Sequence, residues 1–142
     1  MFRLTNPVPG ASLRGHDAFG SGAFGASRDG GKRTHSGIDI AAPAGKAAVS
    51  PADGIISRLG YPYASDTSFR YVEITTDGGL LVRVFYVWPA VKRGSSVIAG
   101  ETRIGIVQNL APRYPGITNH VHLEIKNAAG AFVDPTPFLS VR

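Results

Sequence analysis

The sequence of 142 residues contains no cysteine, which excludes disulfides and thiolate metal sites. Any bound metal would therefore depend on histidine, of which there are four, and on carboxylates. The N-terminal stretch "MFRLTNPVPGASLRG" lacks the apolar core of a signal peptide, and no segment approaches the roughly 20 apolar residues of a membrane span. These absences predict a chain made in the cytoplasm, with no membrane association and no export route of its own.

Length and composition predict one globular domain, residues 1–142, and we expect a monomer. Fifteen Lys and Arg against ten Asp and Glu give a formal net charge of +5. This charge favours polyanionic surroundings, such as nucleic acid or a cell wall with acidic polymers. Because the basic residues form neither a run nor a stripe interleaved with aromatics, we expect no nucleic-acid partner.

Sustained helical periodicity is also missing, while 18 Gly and 10 Pro separate short β-branched runs. This pattern predicts an all-β fold. The predicted strands are Ala47–Ser50, Gly54–Leu59, Phe69–Thr75, Leu80–Trp88, Arg103–Gln108 and His120–Lys126. Asp-Gly within "TTDGGL" predicts a tight hairpin, and the tail "FVDPTPFL" is expected to pack back onto the sheet. The Gly-rich stretch "GHDAFGSGAFGASRDGGKRTH" predicts a long irregular loop that walls a groove.

The stretch "THSGIDIAAPAG" places a histidine and an aspartate four residues apart, at the mouth of an apolar segment. A straight strand would separate His35 and Asp39 by about 13 Å, too far to share one ion. Gly37 lies between them and permits a bend. If the chain bends there, both side chains can converge on one cation, for which zinc is the natural occupant.

A second polar pattern occurs in "NHVHLEI", where His120, His122 and Glu124 alternate with apolar residues. A strand places all three on one face, with neighbours about 7 Å apart at the backbone. Both imidazoles could then reach one metal, or one imidazole could bind the metal while the other contacts the groups that surround the metal ligands. A solvated polar face is the alternative for this motif alone, but three of four histidines in two metal-compatible spacings favour a metal site. His16 has no such partner and is interpreted as a loop residue.

A chain with these two motifs resembles the lysostaphin-type zinc endopeptidases, the M23 or LytM group, which cut peptide bonds in bacterial peptidoglycan. The stretches that carry the resemblance are "GAFGASRDGGKRTHSGIDIAAPAGKAAVSPADGIISRLG" and "HVHLEI". The resemblance runs from about Phe19 to Leu139. It follows the order of a Phe-Gly loop, a His-x-x-x-Asp motif, an Ala-Asp-Gly turn, a Val-x-x-Gly turn and a His-x-His strand. It implies antiparallel, barrel-sandwich-like β-sheets with a central groove.

The resemblance also implies roles for the polar residues. It assigns His35, Asp39 and His122 as Zn²⁺ ligands and His120 as a catalytic histidine, whereas spacing alone equally allows a site with three histidines. Three protein ligands leave one zinc position open for water, whose pKa falls to about 7. A neutral His120 could take a proton from that water and pass it to the leaving amine. Glu124 could orient an imidazole, although an exposed carboxylate or a partner for arginine is an equal alternative.

The sequence departs from the family at "FYVWPAV". Members of the family usually carry Tyr-x-His here, and Trp88 stands where that second catalytic histidine would be. Strand alternation predicts that Tyr86 and Trp88 share a face. Tyr86 and Trp88 are interpreted either as a core or sheet-surface pair or, for Trp88, as a wall or platform for substrate. The missing donor is expected from Tyr86, from Tyr114 or from water.

Three functional classes remain open. The first is a zinc-dependent peptidoglycan endopeptidase. The small size, the basic charge and the absent signal peptide would fit a phage enzyme that is released through a holin or carried on a virion. The second is an inactive or weakened wall-binding or activator module of the same fold. The third, a metal-free sugar- or nucleic-acid-binding domain, leaves both histidine motifs unexplained. Zinc content separates the third class from the others, and hydrolysis of purified sacculi separates the first from the second.

Overall fold

The computed structural model describes residues 2–17, 20–28 and 33–139, and within these ranges it contains strands and turns but no α-helix. The strands are β1 (His16–Asp17), β2 (Gly20–Ser21), β3 (Ser27–Arg28), β4 (Arg33–Thr34), β5 (Ile38–Ala41), β6 (Ala47–Val49), β7 (Gly54–Gly60), β8 (Tyr71–Thr75), β9 (Leu81–Phe85), β10 (Val87–Pro89), β11 (Ser96–Val97), β12 (Arg103–Val107), β13 (His120–Lys126) and β14 (Phe132–Val133). Phe19, where the family resemblance begins, and residues 29–32 of the Gly-rich loop lie outside the described residues.

Seven strands form the main sheet, in the order β11-β7-β8-β9-β13-β14, with β5 pairing the first half of β13. A second sheet has the order β10-β12-β6, and β1-β2 and β3-β4 form two small ladders. The ladders are antiparallel throughout the described strands. The predicted all-β antiparallel fold is therefore confirmed.

The predicted strands agree with the structure where the alternation of apolar residues is clean. β13 has the predicted bounds, and the "TTDGGL" hairpin joins β8 to β9 with Thr76 N–H donating to the Leu80 carbonyl. Two expectations were wrong. The Gly-rich segment contains short paired strands instead of being an irregular loop throughout, and the single strand predicted over Leu80–Trp88 is divided at Tyr86 into β9 and β10.

The division at Tyr86 is a β-bulge. The amide groups of Tyr86 and Val87 both donate to the Arg70 carbonyl, at 2.8 and 3.2 Å, so two residues oppose one. Tyr86 has a φ of 71°, a left-handed conformation that costs a bulky residue energy. The bulge ends the pairing of β9 within the main sheet and lets the chain enter the second sheet as β10.

The two faces of the main sheet differ in character. One face contributes to an apolar core that also receives side chains from the second sheet. Its fully buried members include Ile38, Ile40, Ala48, Ile56, Val72, Ile74, Val82, Val84, Val87, Ile104, Val121 and Leu123. The opposite face carries Glu73, Arg83 and Glu124 as direct cross-strand neighbours on β8, β9 and β13. Asp39, His120 and His122 lie on this polar face.

The C-terminal segment packs back onto the sheet, as predicted. Val133 pairs with Ile125 of β13, and the Phe138 ring lies 5.5 Å from that of Phe2 in an edge-to-face contact. Within the described residues, no helix has the length and apolar character required to cross a bilayer.

Candidate metal centre

Two neighbouring strands and one bend bring His35, Asp39 and His122 together. Asp39 on β5 is the direct cross-strand partner of His122 on β13, so their side chains share a face. His35 lies in the bend between β4 and β5, as predicted from Gly37. The glycine is required there by close packing, because a Cβ at Gly37 would lie 2.2 Å from the Leu123 carbonyl oxygen.

Three side-chain atoms converge in this cluster, which is buried. His35 Nε2 lies 2.9 Å from His122 Nδ1, and Asp39 Oδ1 lies 3.1 Å from each of these nitrogens. Two imidazole nitrogens and one carboxylate oxygen form a donor set that suits zinc. Among the described residues, this is the group of histidine and acidic side chains whose geometry can hold a metal ion.

Hydrogen bonds on the outer side of each imidazole determine which nitrogen carries the proton. His35 Nδ1 lies 3.0 Å from the Ala23 carbonyl oxygen, which can only accept, so this nitrogen donates. His122 Nε2 likewise donates to Glu124 Oε1 at 2.8 Å. In the neutral rings, the two inner nitrogens are then both acceptors, and they face Asp39 Oδ1. Three electron-rich atoms at this spacing favour a cation at their centre, so the residues fit a metal ion.

Without a metal, a proton can occupy the same position. Burial lowers the pKa of His122, but hydrogen bonds to Asp39 and Glu124 outweigh burial and raise this pKa to about 9. Burial likewise raises the pKa of Asp39, but hydrogen bonds from His122 and His35 outweigh it and hold the pKa of Asp39 well below its usual value. The cluster is therefore built around positive charge.

Glu124 makes the contacts of two of the three roles that the sequence left open for it. Its Oε1 accepts from His122 Nε2 and, at 3.1 Å, from the Ser36 hydroxyl, while its Oε2 lies 3.2 Å from Arg83 Nη1. Arg83 in turn bonds Glu73 Oε2 at 2.8 Å. Glu124 is 4% exposed, so the alternative of a solvated surface carboxylate is wrong. The imidazole of His122 is thus oriented by a row of charges across three strands.

Arg14 is a member of the site that sequence reasoning missed. Its Nη1 lies 2.7 Å from Asp39 Oδ2, and its amide donates to the Asp39 carbonyl at 2.8 Å. Both side chains are buried. Arg14 therefore fixes the outer oxygen of the carboxylate and leaves Oδ1 directed at the two imidazoles. The signal is weak in sequence, because the two residues are 25 positions apart and lie in no shared periodic pattern.

His120 lies beside the three converging atoms and is held in a different way. Its Nδ1 donates to the Thr118 carbonyl at 2.7 Å, which makes Nε2 the acceptor, 3.4 Å from Asp39 Oδ2. Burial lowers the pKa of His120 below its usual value, so the ring is neutral at pH 7. This geometry provides a proton acceptor next to the cluster and places its nitrogen at the outer oxygen of Asp39.

Aromatic rings form the other side of the site. Tyr86 lies edge-to-face with His120, with ring centroids 5.6 Å apart. Its hydroxyl is 2.8 Å from that of Tyr63, which is 2.6 Å from that of Tyr114. The structure therefore brings Tyr86 and Tyr114, both predicted as donors, into one cluster, and it adds Tyr63, which the sequence analysis did not select.

Trp88 lies outside this tyrosine cluster. It follows the bulge on β10, is 53% exposed, and has the Arg70 guanidinium 5.6 Å from its ring centroid. The same guanidinium lies 4.3 Å from the centroid of the Tyr61 ring. An exposed ring is inconsistent with Trp88 as core packing, and the bulge at Tyr86 interrupts the continuous strand on which the shared face was predicted.

These features belong to a known family. Residues 33–135 match the family model of peptidase family M23, and the chain belongs to this family. Leukocyte cell-derived chemotaxin-2 of Mus musculus is 31% identical over 127 residues, which are 89% of this chain and 79% of the mouse protein. The resemblance inferred from the two histidine motifs is thereby confirmed.

Solved structures show the same fold. A zinc-containing peptidase from Vibrio cholerae has a TM-score of 0.64 at 21% identity, over 94% of this chain and 39% of that one. Lysostaphin has a TM-score of 0.67 at 17% identity, over 95% of this chain and 58% of that one. At these identities the likeness shows a common fold, and both proteins extend well beyond the matched part.

Proposed function

We propose that the chain is a zinc-dependent endopeptidase that hydrolyses peptide bonds in bacterial peptidoglycan. The observation that carries the proposal is the convergence of His35 Nε2, Asp39 Oδ1 and His122 Nδ1, each anchored on its outer side by a hydrogen bond or ion pair. Membership of a peptidase family and the fold shared with a zinc-containing peptidase support it. The net charge of +5 suits an acidic cell wall.

Zinc, when bound, would polarise the scissile carbonyl and lower the pKa of water. His120 would act as the proton carrier, because its Nε2 is an acceptor and its ring is neutral at pH 7. The Thr118 carbonyl holds the ring in this tautomer. Glu124 and Arg14 would keep the ligands oriented, which limits their movement during catalysis.

The test compares His120→Ala with the native protein, both loaded with zinc, on purified sacculi. We expect the variant to retain zinc and to lose about 10²–10⁴-fold in rate, the usual contribution of a general acid–base. His16→Ala is the control, because it removes the one histidine that belongs to neither histidine motif of the sequence. If native protein leaves sacculi intact, the peptidase proposal fails; if His120→Ala loses its zinc, His120 is a ligand and its role is wrong.

A second candidate is an inactive or weakened wall-binding or activator module. It is favoured by Trp88, which stands where the resemblance implies a second catalytic histidine, and by a relative whose name describes a chemotaxin. This candidate predicts that zinc-loaded protein sediments with sacculi and releases no fragments from them. Release of soluble peptides would contradict it.

A further inference from the structure

The hydroxyls of Tyr86, Tyr63 and Tyr114 form a continuous chain that ends at an arginine. We propose that Arg113, Tyr114 and Tyr63 polarise Tyr86 as the hydrogen-bond donor to the substrate oxygen, in place of the absent second histidine. This inference rests on the proposed peptidase function. It assigns a catalytic role to Tyr86 and a positioning role to the other three residues.

The chain has a direction because Tyr63 occupies its middle. The Tyr63 hydroxyl contacts that of Tyr114 at 2.6 Å and that of Tyr86 at 2.8 Å. A phenol has one proton to donate and can also accept at its oxygen, so Tyr63 either donates one of these hydrogen bonds and accepts the other, or accepts both and leaves its own proton without a partner in the cluster. The two arrangements that use the Tyr63 proton differ in whether Tyr86 or Tyr114 supplies a proton to Tyr63.

Arg113 favours the order that runs towards Tyr86. Its Nε donates to the Tyr114 hydroxyl at 3.3 Å, and its guanidinium lies 3.7 Å from the centroid of the Tyr63 ring. Arg113 Nη1 also pairs with Asp66 Oδ2 at 3.5 Å, but the hydrogen bond from Nε to Tyr114 still favours hydroxyls whose oxygen ends face the cation and whose protons point away from it. Tyr114 then donates to Tyr63, and Tyr63 donates to Tyr86. The Tyr86 proton takes part in neither of these two hydrogen bonds.

The position of Tyr86 suits a donor at the reacting centre. Its ring lies edge-to-face on His120, and the bulge holds it there at a φ of 71°. A left-handed tyrosine is an unfavourable conformation of the kind that persists at functional sites. Burial raises the pKa of Tyr86 to about 12, so the hydroxyl keeps its proton at neutral pH.

The chemistry requires no bond to the protein. As the scissile carbonyl gains negative charge in the transition state, its oxygen would accept a hydrogen bond from the Tyr86 hydroxyl. Successive hydroxyls between Arg113 and Tyr86 polarise one another, which makes the last one a stronger donor. The ground-state carbonyl carries less charge, so the effect falls on kcat more than on KM.

Kinetics of zinc-loaded variants on sacculi test the role of the chain. Tyr86→Phe should lower kcat by about 10²–10³-fold with zinc content and KM nearly unchanged. Tyr63→Phe should lower kcat by a smaller factor. Tyr71→Phe is the matched control, since it removes a tyrosine hydroxyl that bonds Arg58 and lies outside the chain.

A double mutant then separates a positioning role from a structural one. If Tyr63 acts through Tyr86, Tyr63→Phe should cause no further loss in the Tyr86→Phe background. Losses that multiply would overturn the proposal. Should Tyr63→Phe fail to fold, Arg113→Gln, a change at an exposed residue, must show the same kcat loss and the same non-additivity.

The direction of the chain can be measured without any activity. Incorporated 3-fluorotyrosine reports the ionisation of each ring by ¹⁹F NMR. If Tyr63 donates to Tyr86, Tyr63→Phe removes a hydrogen bond that stabilises the Tyr86 phenolate, and the pKa of Tyr86 rises. A fall in this pKa would show the reverse direction and overturn the inference, whereas intact sacculi with a raised pKa would count against the peptidase function alone.

Discussion

The two sides of the site are built in different ways. On the proposed metal-ligand side, Asp39 and His122 are placed by regular strand register, and these two residues are fixed from behind by the buried side chains of Arg14 and Glu124. On the aromatic side, Tyr86 is placed by a bulge with left-handed backbone, and three hydroxyls depend on one another. The first side keeps the ligand pattern that the family resemblance implies, and the second departs from it.

This difference implies that metal binding and catalysis can be separated by mutation. The proposed ligands are anchored by Glu124 on β13, by Arg14 and by the Ala23 carbonyl, while the aromatic side is anchored by residues of the loops around Tyr63 and Tyr114. A change on the aromatic side should therefore leave zinc binding intact, and a change on the metal-ligand side should leave the chain of tyrosine hydroxyls intact.

The largest effect is expected from removing a ligand. His122→Ala or His35→Ala should weaken zinc binding by more than the roughly 10–100-fold that loss of an outer-shell partner costs. The physical reason is that only two donor atoms then remain of the three that converge in the structure. Elemental analysis after dialysis measures the metal content.

Tyr86→Phe provides the comparison for these ligand variants, because it alters the aromatic side only. It should retain a full equivalent of zinc. Full zinc in His122→Ala would show that the assigned ligands are wrong, and loss of zinc in Tyr86→Phe would show that the two sides are coupled.

A smaller effect is expected behind the metal. Glu124→Ala removes the acceptor that fixes the His122 imidazole, so zinc affinity should fall by about 10–100-fold. Glu73→Ala is the matched control: it removes the other carboxylate on Arg83 but does not contact His122. Competition with a chromophoric chelator gives both affinities. Equal losses in the two variants would mean that general weakening of the charged face, rather than ligand orientation, is responsible.

The metal-ligand side could be predicted from the sequence because its geometry follows from periodicity. Strict alternation in β13 placed His120, His122 and Glu124 on one face, and the spacing of His35 and Asp39 required a bend, which the structure contains. Which imidazole would be a ligand did not follow from spacing and depended on the family resemblance. Their roles in catalysis stay predictions.

The aromatic side could not be predicted in the same way. A tyrosine with positive φ has no sequence signal, since that conformation favours glycine and asparagine, so the strand was predicted to continue through Tyr86. Tyr63 and Arg14 reach the site from irregular segments, where neither period 2 nor a turn motif marks them. Contacts between segments distant in sequence are set by packing of the whole fold.

Zinc affinity should also depend on pH, by about tenfold per pH unit. The pKa of His122 is raised to about 9, so in the metal-free protein the ring is protonated below that pH and must lose a proton to become a ligand. Affinity therefore rises with pH up to about 9, and binding at pH 7 should release about one proton. Calorimetry in buffers of different ionisation enthalpy measures this number, and release of none would show that a proton does not occupy the cluster.

The smallest effect concerns Trp88, whose ring is 53% exposed and shares Arg70 with Tyr61. If the ring is a platform for substrate, Trp88→Ala should raise KM for sacculi by about 2- to 13-fold, which corresponds to the 0.5–1.5 kcal/mol of an aromatic contact. Zinc content and kcat should stay unchanged, because the change reaches neither side's anchoring residues.

Stability distinguishes this platform from packing. Emptying a buried tryptophan site costs about 3–5 kcal/mol, whereas a ring half in water should cost well under that. Ile98→Ala is the control, since Ile98 is equally exposed, at 52%, and follows β11 at the edge of the main sheet. Early unfolding of Trp88→Ala with normal KM would make Trp88 a structural residue, and the aromatic side would then end at Tyr86.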